Sequence, residues 1–77
     1  MGDTKRNIVG LKVREMRLAQ TPPLTQDALS AKLARSGIQI DRAGISKIEN
    51  GSRQVCDFEL KALARILKTS TDRLLGD

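Results

Sequence analysis

The chain contains no histidine and only one cysteine, Cys56, among its 77 residues. Without histidine, the usual general base and the commonest metal ligand are both missing. A lone thiol with no base beside it is a poor nucleophile. The carboxylates are scattered as helix caps and surface charges, with no nucleophile–base arrangement and no metal-ligand spacing. We therefore expect no enzyme, no metal site, no cofactor and no small-molecule ligand. A single cysteine also excludes an intramolecular disulfide, which fits a reducing compartment. Cys56 itself reads as a small apolar filler in the loop before a helix.

Aromatic residues are almost absent, Phe58 being the only one. Strands favour aromatic and β-branched side chains, so the aliphatic-rich composition points to an all-α fold. No apolar run approaches the roughly 18 residues of a membrane span. Lys5 and Arg6 near the start are not followed by the apolar stretch of a signal peptide. A helix lying on a membrane surface would need bulky anchors beside its lysines, and these are missing. A cytoplasmic protein without membrane contact is expected. Glycine and proline fall between the apolar runs, apart from Gly10 and Gly44.

What is present is aliphatic and basic. The formal net charge is +5 and the isoelectric point about 10.0, a balance that favours an anionic partner. The length suits one small domain, which is marginally stable alone. Residues 1–6 read as a flexible, hydrophilic N-terminal arm, and residues 7–77 as the domain.

Five helical patterns follow along the chain. The first runs from about Asn7, as its N-cap, to Ala19, with Val9, Val13 and Met16 forming a stripe flanked by Leu11 and Leu18. Thr21-Pro22-Pro23 ends it. Thr25 opens the second helix, which has Leu29 and Leu33 on one edge and small residues elsewhere. Gly37 is its stop signal, and Ile38 and Ile40 anchor the connection. Asp41 caps a short third helix, about Arg42 to Glu49, ended by Asn50-Gly51. Asp57 caps a fourth, about Phe58 to Leu67, with Leu60, Leu63, Ala64 and Leu67 on one side. Ser70 or Thr71 caps a last short helix, Asp72 to Leu75.

The third helix poses the functional question. In "RAGISKIENG" only Ile45 and Ile48 are bulky and apolar, so the apolar edge is narrow. A helix that merely fills a core has a wider stripe. This one is expected to be fastened by its isoleucines while Arg42, Ala43, Ser46 and Lys47 face outward. Two short helices packed across each other, the second presenting its outer face, make a helix-turn-helix, which lays that second helix in the DNA major groove.

The segments "LTQDALSAKL", "ISKIENGSR" and "FELKALARILKTSTDRLL" resemble the phage-repressor/Cro-type family, also called XRE-type, over about Ile8 to Leu75. The resemblance implies a compact five-helix repressor-like domain with a central helix-turn-helix. It implies that Arg42, Ala43, Ser46 and Lys47 face base edges. Thr25 and Gln26, with Asn50, Gly51, Ser52 and Arg53, would contact phosphates and fix register. Arg42 could fork onto guanine, and Lys47 could reach guanine or a phosphate. As isolated residues, both would read as ordinary solvated charges.

Three departures stand out from that pattern. The connection between Leu33 and Ile40 is longer than the usual tight turn. Ser30 replaces a common alanine, its hydroxyl free to bond back to a helix carbonyl. Gly44 lies inside the recognition helix, for close approach to DNA or by simple tolerance. Arg14 and Arg17 read as solubilising charges, with Arg17 alternatively holding Glu49 or Asp57. The function expected is a sequence-specific double-stranded-DNA-binding regulator, a repressor acting as a homodimer through its C-terminal helices, Leu74-Leu75 included. A protein-interaction module, such as an antitoxin or anti-repressor on the same fold, is the alternative.

Overall fold

A computed structural model describes the backbone of residues 3–76 and the side chains of residues 8–76. Met1 and Gly2 of the expected arm lie outside the described residues, as do the side chains of Lys5 and Arg6. The helices are α1 (Asp3–Leu18), α2 (Gln26–Arg35), α3 (Arg42–Glu49), α4 (Asp57–Ile66) and α5 (Thr71–Leu74). Among the described residues there is no strand.

Helix starts follow the capping chemistry of the sequence. Thr25 Oγ1 accepts from the Ala28 N–H at 3.0 Å, Asp41 Oδ1 from Gly44 at 2.8 Å and Ser70 Oγ from Arg73 at 3.1 Å. Each satisfies a donor that the first helical turn leaves unpaired. Two expected caps are corrected. The backbone of α1 is helical from Asp3, so Asn7 lies inside the helix rather than at its start, and the helix runs into the expected arm. Cys56, not Asp57, caps α4. The reason is Glu59, whose Oε1 reaches back to accept from the Cys56 N–H at 2.9 Å, the carboxylate half of a capping box. Cys56 is exposed and is not the expected filler.

Helix ends are equally local. Gly37, at φ +83°, closes α2, with Gly37 N–H donating to Ala34 O and Ile38 N–H to Leu33 O. Gly51, at φ +85°, closes α3, with Ser52 N–H donating to Lys47 O at 2.8 Å. These paired bonds are Schellman closures, and a left-handed residue is what they require. The longer connection is thus a proper stop followed by two anchors: Ile38 is half-buried and Ile40 buried. The Ser30 hydroxyl does not bond back to its own helix. It donates to Ile40 O at 2.6 Å and ties the connection down onto α2.

The core is aliphatic: Val13, Leu29, Leu33, Ile40, Ile45, Ile48, Leu63, Leu67 and Leu74, with Ala62 and Ala64. The domain is all-α, five-helical and compact, with a Cα radius of gyration of 11.2 Å. α1 packs chiefly on α3, α2 on α3 and α4, and α5 closes against α1 and α4. Leu11 and Leu18, expected beside the α1 stripe, are instead exposed. The buried line of α1 is Gly10, Val13 and Arg17. A Cβ on Gly10 would collide with the Ile48 carbonyl oxygen and lie 2.9 Å from that of Glu49. The absent side chain therefore lets the α1 backbone meet the end of α3. Leu74 is a core residue, whereas Leu75 and Phe58 are exposed apolar groups. Among the described residues no helix is long and apolar enough to cross a membrane.

Candidate nucleic-acid interface

Ile45 and Ile48 are each 1% exposed and pin α3 into the core. Arg42, Ala43, Ser46 and Lys47 are all exposed on the helix they share. The narrow apolar edge and the outward polar face are thus as expected from "RAGISKIENG". Gly44 is half-buried, and a Cβ there would sit 2.8 Å from Ile40 Cγ2 and 3.2 Å from Asp41 Oδ1. Its small size therefore answers to the chain's own connection and cap, a third reason beside the two considered from sequence.

A buried ion pair supports this face from behind. Arg17 Nε donates to Glu49 Oε2 at 2.7 Å, and its NH2 group donates to Glu49 Oε1 at 3.0 Å. The NH1 group donates to Leu24 O at 2.8 Å. Of the two partners left open for Arg17, Glu49 is therefore the one it holds. Glu49 Oε1 also accepts from Gln26 Nε2 at 3.1 Å. One carboxylate thereby joins α1, the start of α2 and the end of α3. A forked guanidinium–carboxylate pair is directional as well as strong, so the relative placement of these helices is tightly specified.

The other carboxylates near the face are also engaged. Glu59 pairs with Arg53, at 3.0 Å from its NH2 group. Burial alone would raise the Glu59 carboxyl, but hydrogen bonds from Arg53 and the Cys56 N–H, with the Arg53 charge, hold it below its ordinary value. Arg53 is raised, first by its hydrogen bond to Glu59. Asp41 is occupied as a cap. Asp27 lies 3.9 Å from Arg42, both side chains being mostly exposed.

The expected phosphate residues are spread around this framework. Thr25 is exposed and caps α2, while Gln26 is half-buried against Glu49. Asn50 and Ser52 are exposed, and Gly51 and Arg53 half-buried. Asn50 Oδ1 accepts from the Ser52 N–H at 2.9 Å and from the Ser52 hydroxyl. Gln26, Ser46 and Asn50 line one groove of about 510 Å³. Thr25, Arg42, Ala43 and Lys47 do not line it, nor do Ser52 and Arg53.

Arg14, expected only as a solubilising charge, lines the same groove from α1. The available signal was its spacing: Gly10, Val13 and Arg17 mark the inward line, and Arg14 follows Val13 on the flank nearest α3. Among the described residues no cluster of three or more metal-ligating side chains occurs. Compared with protein-family models, curated proteins and solved structures, the chain has no significant match.

Proposed function

We propose that this chain is a sequence-specific, double-stranded-DNA-binding transcriptional regulator, with α2 and α3 as its helix-turn-helix. In this reading it is a repressor that binds a palindromic operator as a homodimer. The observation that carries the proposal is α3. It is fixed by Ile45 and Ile48 and offers Arg42, Ala43, Ser46 and Lys47 together on its free side. Arginine forks onto the guanine O6 and N7 acceptors, and the small Ala43 and Ser46 let the helix approach base edges closely. Gln26 and Asn50, which line the groove beside Ser46, would be phosphate contacts. The net charge of +5 supplies the long-range attraction.

One helix of eight residues reads few base pairs. A second copy, docked about one DNA turn away, roughly 34 Å, supplies the missing specificity. The exposed apolar groups Phe58 and Leu75, at 63% and 54% exposure, are the surface on which that copy would dock. The same two groups favour the second reading, a protein-interaction module that binds another chain.

Selection from randomised duplexes tests the proposal, with binding followed by fluorescence anisotropy at two salt concentrations. Enrichment of a palindrome is expected, with affinity falling steeply in salt and lost in an Arg42→Ala/Lys47→Ala double variant. Binding no better than background at low salt would reject DNA as the target and turn the search to a protein partner.

A further inference from the structure

We infer that the groove between α1, α2 and α3 is a seat for a phosphodiester of duplex DNA, and that Arg14 is its cationic ligand. The inference rests on the regulator reading and extends the interface from the two central helices to α1.

The groove takes side chains from three helices: Arg14 from α1, Gln26 from α2 and Ser46 from α3, with Asn50 just beyond. Its floor is the Arg17–Glu49 pair. That pair is internally neutral, so Arg14 is the charge the groove has left over. The acid next to Arg14, Glu15, pairs with Lys12 at 3.4 Å.

Of the remaining lining, Leu11 is apolar, and Asn50, Gln26 and Ser46 present donors. Asn50 Oδ1 is occupied by Ser52, so its amide nitrogen is the group available to an incoming acceptor. Gln26 Nε2 spends one hydrogen on Glu49 Oε1 and keeps a second. The Ser46 hydroxyl is exposed and can donate. A guanidinium, two amide N–H groups and a hydroxyl match an oxyanion with several acceptor oxygens. The groove is open, which suits an anion carried on a polymer.

Ser46 lies both in this groove and on the outward face of α3. An anion seated here therefore borders the proposed reading face. That is the relation of a DNA strand to its own major groove. Arg14 would fix register on the strand beside the helix without reading a base.

Arg14→Gln and Arg14→Lys test the inference against the duplex enriched by the wild-type chain. Arg14 is exposed, so unchanged thermal unfolding checks that both variants fold. Each phosphate contact contributes about 0.9 to the slope of log affinity against log salt, or about a 3.5-fold loss between about 50 and 200 mM. Arg14→Gln is expected to flatten the slope by about that amount per protomer without altering the preferred sequence, and Arg14→Lys to restore most of it. An unchanged slope in Arg14→Gln, with wild-type binding intact, overturns this inference alone. So does a change confined to one base position, because Arg14 would then read sequence. A wild-type chain with no salt-dependent DNA affinity overturns the regulator reading and this inference together.

Discussion

Arg17 and Glu49, 32 positions apart in sequence, meet in a forked, buried ion pair at 2.7 and 3.0 Å. The side chains are 9% and 5% exposed. Every oxygen of Glu49 is used, because Oε1 also accepts from Gln26. Breaking this pair by Arg17→Met would strand a buried carboxylate and is expected to cost about 3–5 kcal/mol. Replacing both partners, as Arg17→Met/Glu49→Leu, should recover most of that loss, since an apolar pair needs no solvation. Chemical denaturation of the three proteins decides it. A single variant within about 1 kcal/mol of wild type would show that water reaches the site. If its unfolding midpoint recovers, the double variant has a second use: it leaves Gln26 without its acceptor, so under the proposed regulator reading its affinity for duplex DNA should fall below that of wild type.

Gly10 makes a different demand. Alanine in a helix interior is normally favoured over glycine by up to about 1 kcal/mol. Here the added methyl would strike the Ile48 carbonyl, a backbone atom that cannot swing aside. Gly10→Ala is therefore expected to destabilise by about 1–3 kcal/mol net. The midpoint of thermal unfolding would fall by about 4–8 °C for each of those kcal/mol. A rise in the midpoint would mean that α1 can move off α3 at little cost.

Lys68 closes α4 from the left-handed region, at φ +58°, with Thr69 N–H donating to Ala64 O at 2.9 Å. Glycine is the usual occupant of that position. Lys68→Gly should be about 1 kcal/mol more stable than Lys68→Ala, both lacking the charge, because only alanine keeps the Cβ clash. Equal denaturation midpoints for these two variants would remove backbone strain as a factor here.

Glu59 links stability to acid. Its carboxyl is held below the ordinary value of 4.5. Burial works against that shift, and the hydrogen bonds from Arg53 and the Cys56 N–H outweigh it. The folded state thus binds this proton less readily than the unfolded chain. The resulting stability is full above the unfolded value and is lost as pH falls through the folded one. Glu59→Gln should be less stable than wild type near about pH 7, with the gap narrowing below about pH 4.5. Urea titrations across that range test the sign; a gap that widens in acid would contradict it.

The parts of the fold written in short-range chemistry were legible in the sequence. Asp41, Ile45, Ile48 and Gly51 lie within eleven consecutive residues, and they fix the start, inner edge and end of α3. Gly37 and Ile38 likewise announced the stop of α2. What escaped depends on partners distant in sequence or on competition between neighbours. Asp57 is a good cap by composition, but Glu59 reaches the Cys56 N–H and moves the boundary back by one residue. Gly10 has no meaning until α3 arrives against it. Arg17 could be narrowed to two acidic partners by reasoning on charge, yet only the packing of α1 on α3 selects Glu49. Arg14 looked like any surface charge because its groove is built by three separate helices.

Asp27 is the acid that faces the proposed reading head from α2, 3.9 Å from the Arg42 guanidinium. At that distance and exposure the pair contributes about 0–1 kcal/mol to stability, so its loss should leave folding unchanged. Its consequence would lie in recognition. A carboxylate repels the phosphate backbone and attracts the Arg42 guanidinium, so it would penalise docking that leaves Arg42 on a phosphate instead of a base. Arg42→Ala is expected to lose about 1–3 kcal/mol of binding and to relax preference at one base pair of each half-site. Asp27→Asn is expected to do the reverse on scrambled duplex: affinity there rises more than on the selected duplex, and the specificity ratio falls. Both ratios come from competition anisotropy at one fixed salt concentration. If Asp27→Asn strengthens both duplexes equally, Asp27 acts only through general charge and has no part in keeping Arg42 off phosphates.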